Sequence, residues 1–158
     1  MATPEFVLDL RDKIGTAPLW LSGVTAVVVR GDDVLLVRRA DTGEWTPVTG
    51  IIDPGEEPSV AAEREVLEEA DVRATAERLC WVHVTRMYTY ANGDQSQYVD
   101  LVFRARWDAG EPSPADGENT EARWFPRDAL PEMSHDMRQR VDAALSERVE
   151  ARFGPFGD

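Results

Sequence analysis

The chain is predicted to be an α/β protein in which helices cover both faces of a mixed β-sheet. Three observations indicate this fold class. Continuous β-branched runs such as residues 24–29 are typical of buried strands, residues 58–70 form an amphipathic helix between strands, and another helix follows the last strand. With 158 residues, we expect residues 1–158 to form a single domain with one sizeable core.

The N-terminal half is predicted to contain two strands and the embedded helix. Residues 1–20 are predicted to be an arm or to contain a short helix. A turn at residues 31–33 joins strands at 24–29 and 34–37 into a hairpin, and residues 40–55 are predicted to be a loop. Pro58 suits the first turn of a helix, where a missing N–H costs little, so we expect the helix to run from Pro58 to Ala70.

The C-terminal half is predicted to contain two long strands, a short strand and a closing helix. The long strands, at residues 79–90 and 97–107, meet around Asn92-Gly93-Asp94, and the second alternates between apolar and polar positions. Residues 108–120 are predicted to be a polar loop, and 122–125 a strand. Ser134 can cap the closing helix, and residues 153–158 are predicted to be a frayed tail. The apolar stripe of the closing helix is predicted to comprise Met137, Val141, Ala144, Leu145 and Val149.

Composition excludes several classes of protein. A net charge of −13 argues against binding a nucleic acid polymer, because such binding needs a basic face. No apolar run approaches the roughly 20 residues that span a membrane, so we expect no membrane partner, and the N-terminus lacks the pattern of a secretion signal. The single cysteine, Cys80, is predicted to be buried. A cytoplasmic location is therefore expected.

Three carboxylates at helical spacing make residues 50–72 the most informative segment. Glu65, Glu68 and Glu69 lie within roughly 100° of one another on a helix, and apolar residues occupy the other side. Carboxylates this crowded repel one another, and a divalent cation with oxygen ligands removes the repulsion. An isolated acidic run is more often a solvated face. Here the turn at residues 53–55 and the adjacent Arg64 favour a site. The residues expected to face the core are Val60, Val66, Leu67 and Ala70.

The same segment resembles the box motif of the Nudix hydrolase family (MutT-like). That motif reads Gly, five residues, Glu, seven residues, Arg-Glu, an aliphatic, any residue, Glu-Glu, any residue, Gly and an aliphatic. Asp71 stands where the family has its last Gly, and we expect a left-handed helix end there at a modest cost in stability. Val48-Thr49 stands where the family often has Pro-Gly, so the turn that presents the Gly50 carbonyl is expected to differ. Gly50 is therefore the least secure of the metal ligands that the resemblance implies. The matching positions are Gly50, Glu56, Arg64, Glu65, Val66, Glu68, Glu69 and Val72.

The resemblance implies a Nudix fold, which is an α/β/α sandwich with a mixed β-sheet, and an enzymatic role for the box. It implies that Glu68 and Glu69 bind magnesium, with manganese as the alternative ion, and that Glu65 is a further ligand or the general base. The carbonyl of Gly50 completes the metal shell, Arg64 orients Glu65, and Glu56 pairs with Arg64 as a structural brace. Which of the three acids is the base stays open.

The family hydrolyses a nucleoside diphosphate linked to another group, so a small nucleotide substrate is expected. General resemblance favours an ADP-ribose-like sugar nucleotide. Dinucleoside polyphosphates and oxidised nucleoside triphosphates are the alternative substrates. The alternative of another class is an inactive Nudix-like nucleotide sensor, but such domains typically lose the acids that this chain keeps.

Outside the box, several residues are candidates for the same site. Glu118 and Glu121 are candidates for one more metal ligand, and Glu118 is preferred because its loop position makes it easier to move. Arg38 and Arg39 could hold a phosphate or ribose, and Trp45 could stack on a base, although solvated charges and a packed aromatic are common alternatives. A homodimer is also expected to be possible, through docking of the N-terminal arm on a neighbour.

Overall fold

The computed structural model describes residues 3–155 and contains three helices and nine strands in that range. The helices and strands are, in chain order, α1 (Glu5–Ile14), β1 (Leu19–Arg30), β2 (Asp33–Arg39), β3 (Trp45–Thr46), β4 (Val48–Ile51), α2 (Pro58–Ala70), β5 (Arg73–Val84), β6 (Tyr88–Thr89), β7 (Gln95–Ala109), β8 (Asn119–Pro126), α3 (His135–Leu145) and β9 (Arg152–Phe153). The bounds of α2 agree with the sequence prediction.

All nine strands belong to one mixed sheet. Its main order is β3-β2-β1-β7-β5-β9, while β4 pairs with β1, β6 with β7 and β8 with β2. At the centre, β1 and β7 run parallel from the pair Leu19–Ser96 to the pair Val29–Arg106. The strand β7 is also antiparallel to β5. The predicted mixed sheet is therefore confirmed.

Helices cover both faces of the sheet, which explains why β1 is almost continuously apolar. On one face, Val24 and Val28 of β1 share a buried cluster with Val66 of α2. On the other face, Val27 packs in a cluster with Val141 of α3. A strand buried on both faces needs apolar side chains at successive positions, not only at alternate ones. Within residues 3–155, no helix is long and apolar enough to cross a membrane.

The loop predicted for residues 40–55 was wrong in part, because it contains the strands β3 and β4. Antiparallel pairing holds β4 against β1, with Gly50 opposite Val24. Four residues that include a glycine and a threonine do not show the alternation by which a strand is recognised. Strand 79–90 also differs, since β5 begins at Arg73 and ends at Val84, and three register shifts break its alternation.

The predicted core faces of two helices need correction. On α2, Val60 and Leu67 are exposed by 53% and 45%, whereas the carboxylate residues Glu65 and Glu69 are buried. The acids rather than these two aliphatic residues turn toward the sheet. Beyond α3, Val149 is 80% exposed because the helix ends at Leu145. The predicted cap is confirmed, since the Ser134 hydroxyl accepts a hydrogen bond from the backbone N–H of Met137.

The two ends of the chain are partly described. The helix α1 packs on the sheet through Val7, which shares a cluster with Leu21 and Ile51. Near the other end, Arg152 and Phe153 form β9 and pair with β5. The parts of the predicted arm and tail at residues 1–2 and 156–158 lie outside the described residues. Cys80 is buried and free, as predicted.

Candidate active site

The helix α2 aims two of its acids at the sheet. It begins with Pro58 in its first turn and ends at Asp71, whose φ of 54° and ψ of 31° are left-handed. The N–H of Asp71 donates to the carbonyl of Leu67, so the helix terminates as expected despite the missing glycine. Glu65 and Glu69, one turn apart, lie on the same face of α2. Both are buried, with exposures of 0% and 6%.

The carboxyl group of Glu65 lies directly against the backbone of Gly50. A Cβ atom at position 50 would stand only 2.1 Å from the Cδ atom of Glu65. A glycine is therefore required for the carboxylate to occupy this place. The pairing of β4 with β1 at Val24 fixes Gly50 in the sheet, so the strand and the helix together determine where the acid lies.

One oxygen of Glu65 is bonded and the other is not. Its Oε1 accepts a hydrogen bond of 2.9 Å from Nη1 of Arg64, while Oε2 is buried with no hydrogen-bond partner within residues 3–155. Burial raises the pKa of Glu65 to about 7, although the neighbouring charge of Arg64 acts in the opposite direction. A buried carboxylate oxygen without a partner is an unmet acceptor, and a cation would satisfy it.

The guanidinium of Arg64 connects the helix, the preceding turn and the strand. Its Nε and Nη2 atoms donate to the two oxygens of Glu56 at 2.8 and 2.9 Å. Its Nη1 donates to Glu65 and, at 3.2 Å, to Glu68, and its Nη2 also donates to the carbonyl of Ile51. The hydrogen bonds from Arg64 hold the pKa of Glu56 below its usual value. The structure thus places Glu56 where a brace is expected.

A second group of acids gathers around Glu69. Carboxylate oxygens of Glu69, Asp116 and Glu118 lie within 4.8 Å of one another, a geometry that could hold a metal ion. The Nδ2 atom of Asn119 donates to Oε2 of Glu69 at 3.1 Å. Burial raises the pKa of Glu69 to about 8. Carboxylate oxygens in this arrangement are the hard ligands that a divalent cation prefers.

Asp116 and Asn119 were not among the predicted site residues. The loop that carries Asp116 returns to the end of α2, where the N–H of Ser113 donates to the carbonyl of Ala70. The N–H of Ala115 likewise donates to the carbonyl of Glu69. These backbone contacts depend on the folded chain, so sequence spacing could not place Asp116. The acidic character of residues 116–121 was the available signal.

Other predicted residues have partners away from these acids. Glu121 accepts a hydrogen bond from Arg38 at 3.0 Å and also pairs with Arg123. Trp45 packs edge-on against Phe125, with ring centroids 4.8 Å apart. The structure therefore places Glu118 with Glu69, but it does not place Arg38, Glu121 or Trp45 there.

Arg39 lies closer to the acids. Its guanidinium forms two hydrogen bonds with Asp41, at 2.9 and 2.7 Å, and these raise its pKa most. The negative charges of Glu69 and Glu118 raise it further, so Arg39 lies within electrostatic range of both. The charge of Arg39 therefore links one of the three predicted substrate-binding residues to the acid group.

Comparisons with known proteins agree with this geometry. The family model of the NUDIX domain matches residues 20–146. The NAD-capped RNA hydrolase NudC of Pseudomonas syringae pv. syringae is 32% identical over 149 residues, which cover 89% of this chain and 49% of that protein. The 8-oxo-dGDP phosphatase NUDT18 of Homo sapiens is 33% identical over 129 residues, which cover 77% of this chain and 37% of that protein.

A solved structure extends the agreement to the fold. An ADP-ribose pyrophosphatase from Streptococcus suis superposes with a TM-score of 0.65 at 23% identity, covering 85% of this chain and 98% of that one. The mixed sheet with helices on both faces thus has the α/β/α sandwich fold of that structure. The chain belongs to the Nudix family. It spans about half the length of the NudC relatives that it matches.

Proposed function

We propose that this protein hydrolyses a pyrophosphate bond in a nucleoside diphosphate linked to another group. ADP-ribose-like sugar nucleotides are the favoured substrates, and magnesium is the favoured cofactor, with manganese as the alternative. The observation that carries the proposal is the buried Oε2 atom of Glu65. Oε2 has no partner within residues 3–155, and the carboxyl group to which it belongs lies against Gly50, on a helix that also carries Glu69.

The donor set fits a divalent cation. The resemblance implies Glu65, Glu68, Glu69 and the Gly50 carbonyl as ligands, and these are the hard oxygen donors that magnesium prefers. Glu118 adds one more, because its carboxylate lies within 4.8 Å of that of Glu69. When bound, magnesium supplies charge neutralisation for the phosphate oxygens and activation of water. Asp116 belongs to the same oxygen group, so we add it to the proposed ligands.

The protein residues supply orientation and a proton acceptor. Arg64 holds Oε1 of Glu65, which leaves Oε2 as the atom that either binds the cation or accepts a proton from water. Asn119 holds one oxygen of Glu69 in the same manner. We propose that Arg39, whose pKa the charge of Glu69 raises, binds a phosphate oxygen, since guanidinium groups suit such contacts.

The names of the relatives support this substrate class. NAD and ADP-ribose both contain ADP linked to another group, and these occur in the names of two of the three similar proteins. An oxidised nucleotide occurs in the name of the third, so that substrate class stays an alternative. The net charge of −13 argues against a strong contribution from an RNA chain beyond its cap.

A substrate panel with and without magnesium tests the proposal. The panel contains ADP-ribose, NAD, a dinucleoside polyphosphate, 8-oxo-dGTP and NAD-capped RNA, and products are identified by mass. Glu69→Gln is expected to lose most turnover while staying folded, because the change removes a proposed ligand without altering its size. Glu121→Gln is the matched control, since its partners are Arg38 and Arg123.

Two results would contradict this assignment. If the wild-type protein binds a nucleotide but hydrolyses no member of the panel, the protein is a nucleotide sensor. If Glu69→Gln keeps full activity, Glu69 is not a ligand that the reaction needs.

We also keep three broader predictions as proposals. These are a single functional domain over residues 1–158, a cytoplasmic location and a homodimer. Docking of the N-terminal arm on a neighbouring copy is less favoured than the sequence indicated, because Val7 of the arm packs on Leu21 and Ile51 of its own chain. Light scattering at several protein concentrations decides the oligomeric state.

A further inference from the structure

Three arginines line a groove beside the end of α3. The groove has a volume of about 380 Å³, and its cationic side chains are those of Arg78 on β5, Arg104 on β7 and Arg148 after α3. We call this groove, with its three arginines, the arginine groove. Neither the family motif nor the proposed chemistry uses it.

The arginine groove lies on the face of the sheet that α3 covers. Val102 of β7 belongs to the buried cluster under α3, whereas the next residue, Phe103, belongs to the cluster under α2. Because alternate residues of a strand share a face, Arg104 lies on the α3 face together with Val102. The acids Glu65 and Glu69 belong to α2, so the sheet separates them from the arginine groove.

Two of the arginines stand opposite each other in the sheet. Arg78 and Arg104 are direct partners on the antiparallel strands β5 and β7. Side chains in this position lie close together, and like charges there destabilise the sheet. Burial raises the pKa of the Cys80 thiol, and the positive charges of Arg78 and Arg104 both act in the opposite direction. The two charges therefore lie near one point of the structure.

The end of α3 holds Arg78 in place and leaves part of its guanidinium free. Its Nη2 donates to the carbonyls of Ala144 and Ser146, at 3.0 and 2.7 Å. Within residues 3–155, Nε and Nη1 of Arg78 form no hydrogen bond. The Ser146 hydroxyl accepts a 3.3 Å hydrogen bond from the N–H of Arg148, which leaves its own hydrogen available. Donors fixed in this way lose little conformational freedom when a ligand binds.

The arginine groove keeps a positive charge in a strongly acidic protein. Within the described part of the chain, none of the three arginines forms an ion pair with a carboxylate. Acids are not scarce, since the chain has 30 Asp and Glu against 17 Lys and Arg. Two acids line the groove, but Glu77 pairs with Arg106 at 3.5 Å, and Glu147 is exposed. The groove is therefore suited to an anion from outside the chain.

We propose that the arginine groove is an anion site that binds a phosphate group. Guanidinium groups donate paired hydrogen bonds in a geometry that matches phosphate oxygens. An anion between Arg78 and Arg104 would also remove their mutual repulsion. The volume is within the range of about 300–1,000 Å³ that is typical of small-molecule sites, so pyrophosphate or the phosphate of a nucleotide fits. The site goes beyond the proposed function and does not depend on it.

The test is calorimetric titration of the full chain with pyrophosphate and with AMP, in metal-free buffer at constant ionic strength. Without a cation, the acids of α2 repel an anion, so the candidate active site contributes little. Arg104→Gln is expected to weaken pyrophosphate binding about tenfold, equal to about 1.4 kcal/mol, because a charged donor is lost. Arg148→Gln is expected to weaken it about threefold, because Arg148 is exposed and solvent screens its charge.

Arg127→Gln is the matched control. Arg127 follows β8, is exposed, and forms no ion pair among the described residues. Its replacement changes the net charge by the same amount, but Arg127 does not line the arginine groove. We expect binding within about twofold of wild type. Thermal denaturation without anion checks that each variant is folded, and Arg148→Gln decides the test if Arg104→Gln does not fold.

The two probes distinguish the sources of the phosphate group. Binding of pyrophosphate alone supports an inorganic ligand, and equal binding of AMP supports a nucleotide. The arginine groove is not a phosphate site if wild-type protein binds neither probe. The same conclusion follows if folded Arg104→Gln binds both probes as tightly as wild type, or if Arg127→Gln loses as much affinity. Hydrolysis in the substrate panel is measured separately, so failure of this site leaves the proposed function standing.

Discussion

Replacing Gly50 by alanine should displace the Glu65 carboxyl group. The added Cβ atom would lie 2.1 Å from Cδ, 2.2 Å from Oε1 and 2.3 Å from Cγ of Glu65. Carbon atoms in ordinary contact are about 3.5 Å apart or more, so the carboxyl group has to move by about 1.5 Å. That movement breaks the 2.9 Å hydrogen bond from Arg64 that orients Oε1.

The expected result is a large loss of activity with a smaller loss of stability. A displacement of about 1 Å in a catalytic group can cost about 10²-fold in rate, so we expect turnover to fall by about that factor. Overpacking typically lowers the free energy of unfolding by about 1–3 kcal/mol. We expect a loss within this range, because the flexible carboxylate can move while the backbone stays in place. Hydrolysis rates and urea denaturation of Gly50→Ala measure the two effects.

Combining Gly50→Ala with Glu65→Ala tests whether the loss of stability in Gly50→Ala arises from contact with the Glu65 side chain. Glu65→Ala removes the atoms that the new methyl group would meet, so adding Gly50→Ala to it is expected to cost little further stability. The reasoning is refuted if Gly50→Ala retains wild-type activity. It is equally refuted if the glycine substitution destabilises both backgrounds by the same amount.

Two further predictions concern stability. Asp71→Gly is expected to raise the free energy of unfolding by about 0.5–1 kcal/mol in urea, because glycine adopts the left-handed conformation without steric cost; a decrease would contradict this. Asp100 is buried, which by itself raises its pKa, but the charge of Arg140 and hydrogen bonds from His83 and Thr25 together lower the pKa below its usual value. A lowered folded-state pKa stabilises the protein fully above the unfolded-state value of about 3.9, and this stabilisation is lost as pH falls through the folded-state pKa. Asp100→Asn is therefore expected to cost about 3 kcal/mol at pH 7 and less below pH 4, and an equal cost at both pH values in urea denaturation would exclude this account.

The sequence predicted the embedded helix well because its signals are local. Proline in the first turn and the residue after Ala70 mark its two ends, and both act through neighbouring backbone atoms. The orientation of the helix was harder to predict. Periodicity places Glu65 and Glu69 on one face but does not say which face meets the sheet. The face is determined by the space at Gly50 on β4, which the Glu65 carboxyl group fills.

The parts of the site that were missed depend on contacts between distant segments. Asp116 reaches Glu69 because the loop before β8 bonds back to the end of α2. Arg140 is a charged residue in the buried stripe of α3, whereas a pattern analysis assigns charges to the surface. It is tolerated there because Asp100 and Asp136 lie within ion-pair distance on two different elements. A local sequence pattern cannot identify ion-pair partners that come from distant segments.

The central pair of strands also determines how the protein folds. Residues 19–29 pair with residues 96–106, and the chain between them includes α2 with its acids. Closing so long a loop costs conformational entropy before any contact between the two strands compensates for it. We therefore expect these two strands to associate late in folding. The protein should fold more slowly than helical proteins of similar size. A nascent chain that ends before residue 96 would lack the strand beside β1. Glu69 of α2 would meet Asp116 and Glu118 only after most of the chain has been synthesised.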